Sequence, residues 1–296
     1  MDVTKFDNAK EYYQTVKGYL SQDEATNCLP LGVARVLCNS QLKDLHLPYL
    51  VTVENNRETV ATAIQTPPRR LLLAKSKSLE AIKLIAENIA LQNKSLPGAI
   101  GLKSQAAIFA RAWQSLTGQS FELAVAMKIH QLETIQPINT ASGKLRLARK
   151  GDRELLIEWI EAFEKEALGD NAVQSDYQSW FENNIRKQSL YVWQNKIPVS
   201  MTTFGGATPN GIRIGGVYTP PKYRGKGYAT SCVAAVSQHL LNTGYKYCFL
   251  FTDMANPTSN HIYQKIGYQP VCEISNYGFK SEKIGVSKSE YDSENC

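Results

Sequence analysis

Apolar residues recur at helical spacing in several parts of the chain. Tyr12, Tyr13, Val16, Tyr19 and Leu20 share one face of a 3.6-residue repeat. Leu79, Ile82, Ile85 and Ile89 do so again, and Ala106, Phe109, Ala110 and Trp113 predict a third helix. Between them, residues 49–54, 60–65 and 70–74 are rich in β-branched and apolar side chains and predict strands, as does 121–129. The pattern then breaks at Gln136-Pro137-Ile138-Asn139-Thr140-Ala141-Ser142-Gly143, which has linker composition. It resumes with a strand predicted at 145–149. Asp152 is placed to cap a helix whose apolar stripe is Leu155, Leu156, Trp159, Ile160 and Phe163. A second helix is predicted over 175–187 and strands over 190–194, 199–204 and 212–218, with Asn195-Lys196 as a turn. A helix over 227–242 carries Ala229, Cys232, Val233, Val236 and Leu240 on one face, and Gly244 ends it. The apolar run 247–252 predicts a central strand, and Asn256-Pro257 starts a last helix ending near Gly267.

A chain of 296 residues exceeds what one core comfortably organises. The reading is two α/β (α+β) domains, 1–135 and 144–296, joined by a linker at 136–143. Trp113-Gln114-Ser115-Leu116-Thr117-Gly118 is like Tyr263-Gln264-Lys265-Ile266-Gly267, since each ends a helix at glycine before a strand-rich stretch. That short likeness raises a diverged duplication as a hypothesis. Hydrophobic residues at 43% and charged residues at 20% let both halves build a core.

A net charge of +6 without any long Lys/Arg run gives little reason to expect nucleic acid. No apolar run approaches the roughly 20 residues that span a bilayer, and the N-terminus lacks an apolar signal core. A cytoplasmic protein without a membrane partner is expected. Cys28, Cys38, Cys232, Cys248, Cys272 and Cys296 form no Cys-x-x-Cys pair. They have no zinc spacing with His46, His130, His239 or His261, so no metal is expected.

The chemistry concentrates in Gly215-Gly216-Val217-Tyr218-Thr219-Pro220-Pro221-Lys222-Tyr223-Arg224-Gly225-Lys226-Gly227-Tyr228-Ala229-Thr230, a strand leading through a basic, glycine-rich loop into a helix. The first amides of a helix have no intrahelical acceptor, and the helix dipole adds positive potential. Gly225 and Gly227 allow close approach of the backbone, so a pyrophosphate fits. The dinucleotide fingerprint would need glycine at Thr230, and no Walker loop is present.

Arg224, Gly227 and Ala229 stand in register with the pyrophosphate motif of the GNAT acetyltransferase superfamily, and this stretch resembles it. Val217-Tyr218-Thr219-Pro220 looks like the end of that family's fourth strand, and residues 256–268 are similar to its following helix and turn. The resemblance covers about 145–279, with its specific part at 215–268. It implies a mixed, mostly antiparallel sheet flanked by helices, with a gap between the fourth and fifth strands. Acetyl-CoA would be the co-substrate. Its pantetheine arm would pair near Val217 and Thr219, and its pyrophosphate would lie on the amides of Gly225, Lys226, Gly227, Tyr228, Ala229 and Thr230. Tyr218 lines the acceptor groove or fills the core. Asn256 holds the coenzyme arm or caps its helix. Tyr263 matches the tyrosine that protonates the departing thiolate in relatives, against the plainer reading of a packed aromatic.

The reaction so implied is direct acetyl transfer to an unidentified amine, a small molecule or a peptide, which must lose a proton before attack. Residues 212–219 hold no carboxylate to serve as base. Asp253 is one alternative, better read as a turn residue, and Glu164, Glu166 and Asp170 are an acidic wall or a solvated helix end. The first half has no glycine pair in Leu72-Leu73-Ala74-Lys75-Ser76-Lys77-Ser78 and has Trp113 where Tyr263 stands, so it is read as a degenerate, GNAT-like domain. A sensor that binds acyl-CoA without turnover, and a transferase of aminoacyl or longer acyl groups, are the competing functions. The sequence leaves the oligomeric state open.

Overall fold

The computed structural model describes residues 1–39, 47–92, 96–168 and 176–280. His46, Asp170, Ser175 and Cys296 lie outside the described residues. The first half runs β1 (Asp2–Phe6), α1 (Ala9–Ser21), α2 (Cys28–Cys38), β2 (Tyr49–Asn55), β3 (Glu58–Gln65), β4 (Leu71–Leu73), α3 (Leu79–Ala90), β5 (Gly98–Leu102), α4 (Lys103–Thr117) and β6 (Ser120–Leu132). The second half repeats that order: β7 (Lys144–Leu147), α5 (Arg153–Leu168), α6 (Tyr177–Arg186), β8 (Leu190–Asn195), β9 (Ile197–Gly205), β10 (Gly211–Tyr218), α7 (Tyr228–Asn242), β11 (Tyr247–Asp253), α8 (Pro257–Ile266) and β12 (Gln269–Lys280). The duplication suggested by Trp113–Gly118 and Tyr263–Gly267 is thus visible in the element order. Both α4 and α8 end at a glycine with positive φ, Gly118 at 75° and Gly267 at 114°, as a left-handed C-cap requires.

The strands join one mixed, mostly antiparallel sheet of 12, in the order β1-β2-β3-β4-β5-β12-β6-β11-β10-β9-β8-β7. Exchanging each strand for its counterpart six places on in the chain reverses this order onto itself, so the halves are related by a pseudo-twofold between β12 and β6. Each half has given its last strand to the other. β12 pairs with β5 of the first half, and β6 pairs with β11 of the second, while β6 and β12 pair with each other along almost their whole length. Among the described residues only β4–β5 and β10–β11 are parallel.

Amphipathic helices cover the sheet. In the second half Val233, Val236 and Leu240 of α7 pack on Ile212, Ile214, Cys248 and Leu250. On the other face Leu156, Trp159 and Ile160 of α5 pack on Leu190, Val192, Met201 and Tyr218. In the first half α3 and α4 bury Ile82, Ile85, Ile89, Phe109 and Trp113 against Tyr49, Val51, Val53 and Leu71. The halves also meet through the β9–β10 turn. Glu24 accepts from Asn210 N and Asn210 Nδ2, each at 2.8 Å, and Arg35 donates to the carbonyl of Thr208.

Some local expectations change. The helix α2 escapes periodicity reading because Pro30 and Gly32 interrupt it. Gly32 is required there: a Cβ would stand 2.6 Å from the Gly206 carbonyl oxygen. β1 and β5 were not predicted, β5 being a short strand with two glycines. Asp152 does not cap α5 itself. It accepts the Arg149 amide and pairs with Arg146 at 2.7 Å, closing a 3₁₀ turn ahead of the helix. Asp176 caps α6 through the Ser179 amide.

Because the central strands are exchanged, fragments 1–143 and 144–296 expressed separately should each fail to reach a native fold, whereas the intact chain should unfold in one cooperative step. Denaturant titration followed by circular dichroism and by tryptophan fluorescence checks this, with coincident curves expected.

Candidate functional site

The site is built on β10. Its backbone turns at Gly216, where φ is +57°, and the pairing with β9 shifts register between Gly215 and Tyr218. The extra residue of this bulge reverses the alternation. Ile212 and Ile214 face α7, but Tyr218, which would otherwise share their side, packs under α5 with Trp159 and Met201. The two readings of Tyr218 therefore combine: it is 7% exposed in the core, yet it also lines a cleft.

Alongside, β10 pairs with β11 only at Gly211–Tyr247, Ile212–Cys248 and Arg213–Phe249. Beyond Arg213 the strands diverge, as expected for the gap between the fourth and fifth strands. The next residues, Pro221–Tyr223, make a 3₁₀ turn. Gly225 and Gly227 then adopt φ of +75° each. A Cβ at Gly225 would meet nothing within 4 Å, so backbone conformation, not crowding, requires glycine there. Gly227 is the N-cap of α7, and no side chain caps that end. The first intrahelical bond joins Ser231 N to Gly227 O, so the amides of Tyr228, Ala229 and Thr230 lack helical acceptors.

These parts enclose a cleft of about 520 Å³ lined by Val217, Tyr218, Thr219, Arg224, Gly225, Gly227, Tyr228, Ala229, Thr230, Asn256 and Tyr263. Of the residues the resemblance assigned to the coenzyme or to the departing thiolate, Lys226 alone is not on its wall; its side chain is exposed. Phe163, Glu166 and Ala167 of α5 add a second wall, and Thr258, Ser259 and Ile262 of α8 a third. Glu166 was legible only as one acid of several. No pattern pointed to the α8 residues, whose helical face depends on where the gap opens.

Asn256 is engaged as a cap, its Oδ1 accepting the Ser259 amide at 3.0 Å. Tyr263 is 8% exposed and edge-on to Tyr268. Burial holds its phenol pKa well above the usual range, so it stays protonated at neutral pH. Asp253 is a turn residue, accepting the Ala255 amide at 2.8 Å. Glu164 accepts the Tyr177 hydroxyl at 3.0 Å. Glu166 alone of the described acids in that region reaches the cleft. Its carboxylate is bound by Arg224 Nη2 at 2.8 and 2.9 Å, and the Tyr218 hydroxyl lies 3.5 Å away.

The equivalent place in the first half is closed by the chain itself. Gln105 of α4 accepts from Ser76 N and donates to Ser76 O, both at 2.9 Å. Asn27 accepts the Lys75 amide at 2.9 Å, and Tyr19 donates to the Lys75 carbonyl at 2.6 Å. Ser78 caps α3 through the Ala81 amide. The space left between Leu72–Lys75 and Ile100–Leu102 is about 20 Å³, room for one water. Trp113 is buried and spends its indole N–H on Gln119 at 2.8 Å.

Among the described residues no cluster of His, Cys, Asp or Glu could hold a metal, and no helix is long and apolar enough to cross a membrane. No curated protein matches the chain in sequence. The model of the acetyltransferase (GNAT) family matches residues 153–268. Solved structures share the fold at low identity. A Drosophila protein superposes with a TM-score of 0.68 at 12% identity, over 94% of this chain and 98% of its own. A GCN5-related N-acetyltransferase from Sphaerobacter thermophilus gives 0.61 at 12%, over 94% and 95%. A tandem GNAT protein from the clavulanic acid biosynthesis pathway gives 0.53 at 12%, over 94% and 98%. The residues that line the cleft thus all lie within the stretch that matches the acetyltransferase (GNAT) family model, and the chain as a whole shares its fold with solved structures that include a tandem GNAT protein.

Proposed function

We propose that the protein is an N-acetyltransferase that uses acetyl-CoA and an amine acceptor in its second half. The observation that carries this reading is the uncapped start of α7 forming one wall of a cleft whose far wall holds Tyr263. The acceptor is a small-molecule or peptide amine. The fit to the coenzyme rests on the donor set. Unpaired amides at Tyr228–Thr230, the glycines at 225 and 227 and the Arg224 guanidinium suit a pyrophosphate. The open edge of β10 beyond Arg213 suits the amides of a pantetheine arm. Bound there, acetyl-CoA supplies an activated acyl group.

The residues of this chain then have separate tasks. The loop 224–230 anchors the anion and fixes the reach of the arm into the cleft. Tyr263, protonated at neutral pH, presents its hydroxyl to the thiolate leaving group. Burial makes this phenol a weaker acid than an alkyl thiol, so it stabilises the departing sulfur by hydrogen bonding, and water supplies the proton that completes the thiol. β10 carries no carboxylate, Asp253 is held in its turn and Glu166 is bound by Arg224, so the ammonium of the acceptor loses its proton to water. The first half takes no coenzyme, because its own Gln105, Asn27, Tyr19 and Ser78 occupy the groups a second molecule would need.

Three measurements test this. Titration calorimetry with coenzyme A should give one site per chain; two equivalent sites would refute the closure of the first half. Gly227→Glu should weaken coenzyme binding by at least ~100-fold, since it puts charge against the pyrophosphate and forces a side chain into a left-handed position. The fold should persist, the nearest atom to the new Cβ being Ala141 Cβ at 3.8 Å. Tyr263→Phe keeps the ring and removes the hydrogen-bond donor, so kcat for thiol release with a responsive amine should fall ~100-fold or more while coenzyme affinity changes little. Full activity would make Tyr263 a packing residue. Binding without thiol release across a broad amine panel would favour a sensor.

A further inference from the structure

From the geometry around Arg224 we infer that Glu166 is a positioning residue for anion binding, holding the guanidinium ready at the edge of the cleft. The inference rests on the coenzyme reading above.

Arg224 has five N–H donors. Nη2 takes both oxygens of Glu166 at 2.8 and 2.9 Å, and Nε takes the Thr219 carbonyl at 2.9 Å. The guanidinium also lies over the Tyr218 ring, with Cζ 5.8 Å from its centroid. Neither Nη1 donor is spent on Glu166 or Thr219, and the Tyr218 hydroxyl is a further polar neighbour of the guanidinium. The side chain is half exposed and lines the same cleft as the α7 amides. A long side chain at a surface loop ordinarily populates many rotamers. Here a carboxylate, a carbonyl and an aromatic face fix it from three sides, and Nη1 remains for a ligand anion. Such preorganisation lowers the ordering cost of binding.

Glu166 also brings negative charge near an anion site, and that repulsion opposes the benefit. The charge is directly paired with Arg224 and open to solvent, which weakens its reach. The positioning effect therefore dominates. The arrangement also places Tyr218 in the network. Its hydroxyl stands 3.5 Å from Glu166, and the β10 bulge is what turns it to that side.

The test measures equilibrium binding of coenzyme A and of pantetheine, which lacks the pyrophosphate, to the full chain. Glu166→Ala should weaken coenzyme A roughly 3- to 10-fold, the cost of ordering one long side chain on binding, and leave pantetheine unchanged. Glu166→Gln, which keeps one acceptor for Arg224, should fall between the two. In an Arg224→Ala background the Glu166→Ala change should have no further effect, as a double-mutant cycle for a coupled pair requires. Tighter coenzyme A binding in Glu166→Ala would overturn the proposal and make Glu166 a competing anion. Equal weakening of both ligands, or a full effect without Arg224, would overturn it as a general structural role. Failure of the unsubstituted chain to bind coenzyme A would instead remove the coenzyme reading, and this inference with it, before any variant is compared.

Discussion

The pairing of β6 with β12 is the constraint on which the rest of the molecule depends. Eleven residue pairs run from Gln269–Gln131 to Lys280–Ser120. Without them β12 and β6 would end their sheets as bare edges, each presenting unpaired amides and carbonyls. With them two sheets become one, and the pseudo-twofold is fixed by hydrogen bonding rather than by a side-chain interface alone. The apolar floor beneath, with Ile129, Phe249 and Ile274 closed over by Ala25 and Cys28, then belongs to both halves. The elements that carry the cleft, β10, β11 and α8, are braced on their inner side by a strand of the other half.

Upon that symmetric frame the two halves differ in how they satisfy the same backbone. The step from fourth strand to helix leaves donors exposed in any such fold. In the first half they are answered internally, by Ser78 at the helix start and by Gln105 and Asn27 along the strand. In the second half glycines stand in the loop and nothing answers. The counterpart of the cleft in the first half is therefore filled by polar groups that pair with one another, since burying them without partners is costly.

Much of this was legible in the sequence. The glycine loop, the Asn256-Pro257 start, the strand 247–252 and the helix at 227 follow from turn chemistry and periodicity, and the structure places them as expected. The gap between β10 and β11 was legible only through family resemblance, since nothing in Ile212–Tyr218 marks where pairing stops. The bulge at Gly216 was hidden for a related reason: two adjacent glycines allow it but do not demand it, and it decides which way Tyr218 faces. The strand exchange was not legible at all. Residues 121–129 and 269–280 alternate like any strand, and their choice of partner depends on contacts more than 115 positions apart in the chain. Glu166 could be named as an acid near the right helix end, but its pairing with Arg224 arises from tertiary packing across 58 residues.

The exchanged strands also impose an order on biosynthesis. A chain emerging from the ribosome completes β1–β5 early, yet the neighbour of β5, β12, is made only after β6–β11. At typical elongation rates of ~5–20 residues per second, roughly 7–30 s separate the emergence of β6 from that of β12. Through that interval the first half holds an open edge at Gly98–Leu102 and has a long strand, Ser120–Leu132, with neither neighbour present. The nascent protein therefore exposes unpaired strand edges until β12 emerges. A release of the chain shortly before residue 280 would deprive both halves of a sheet partner together.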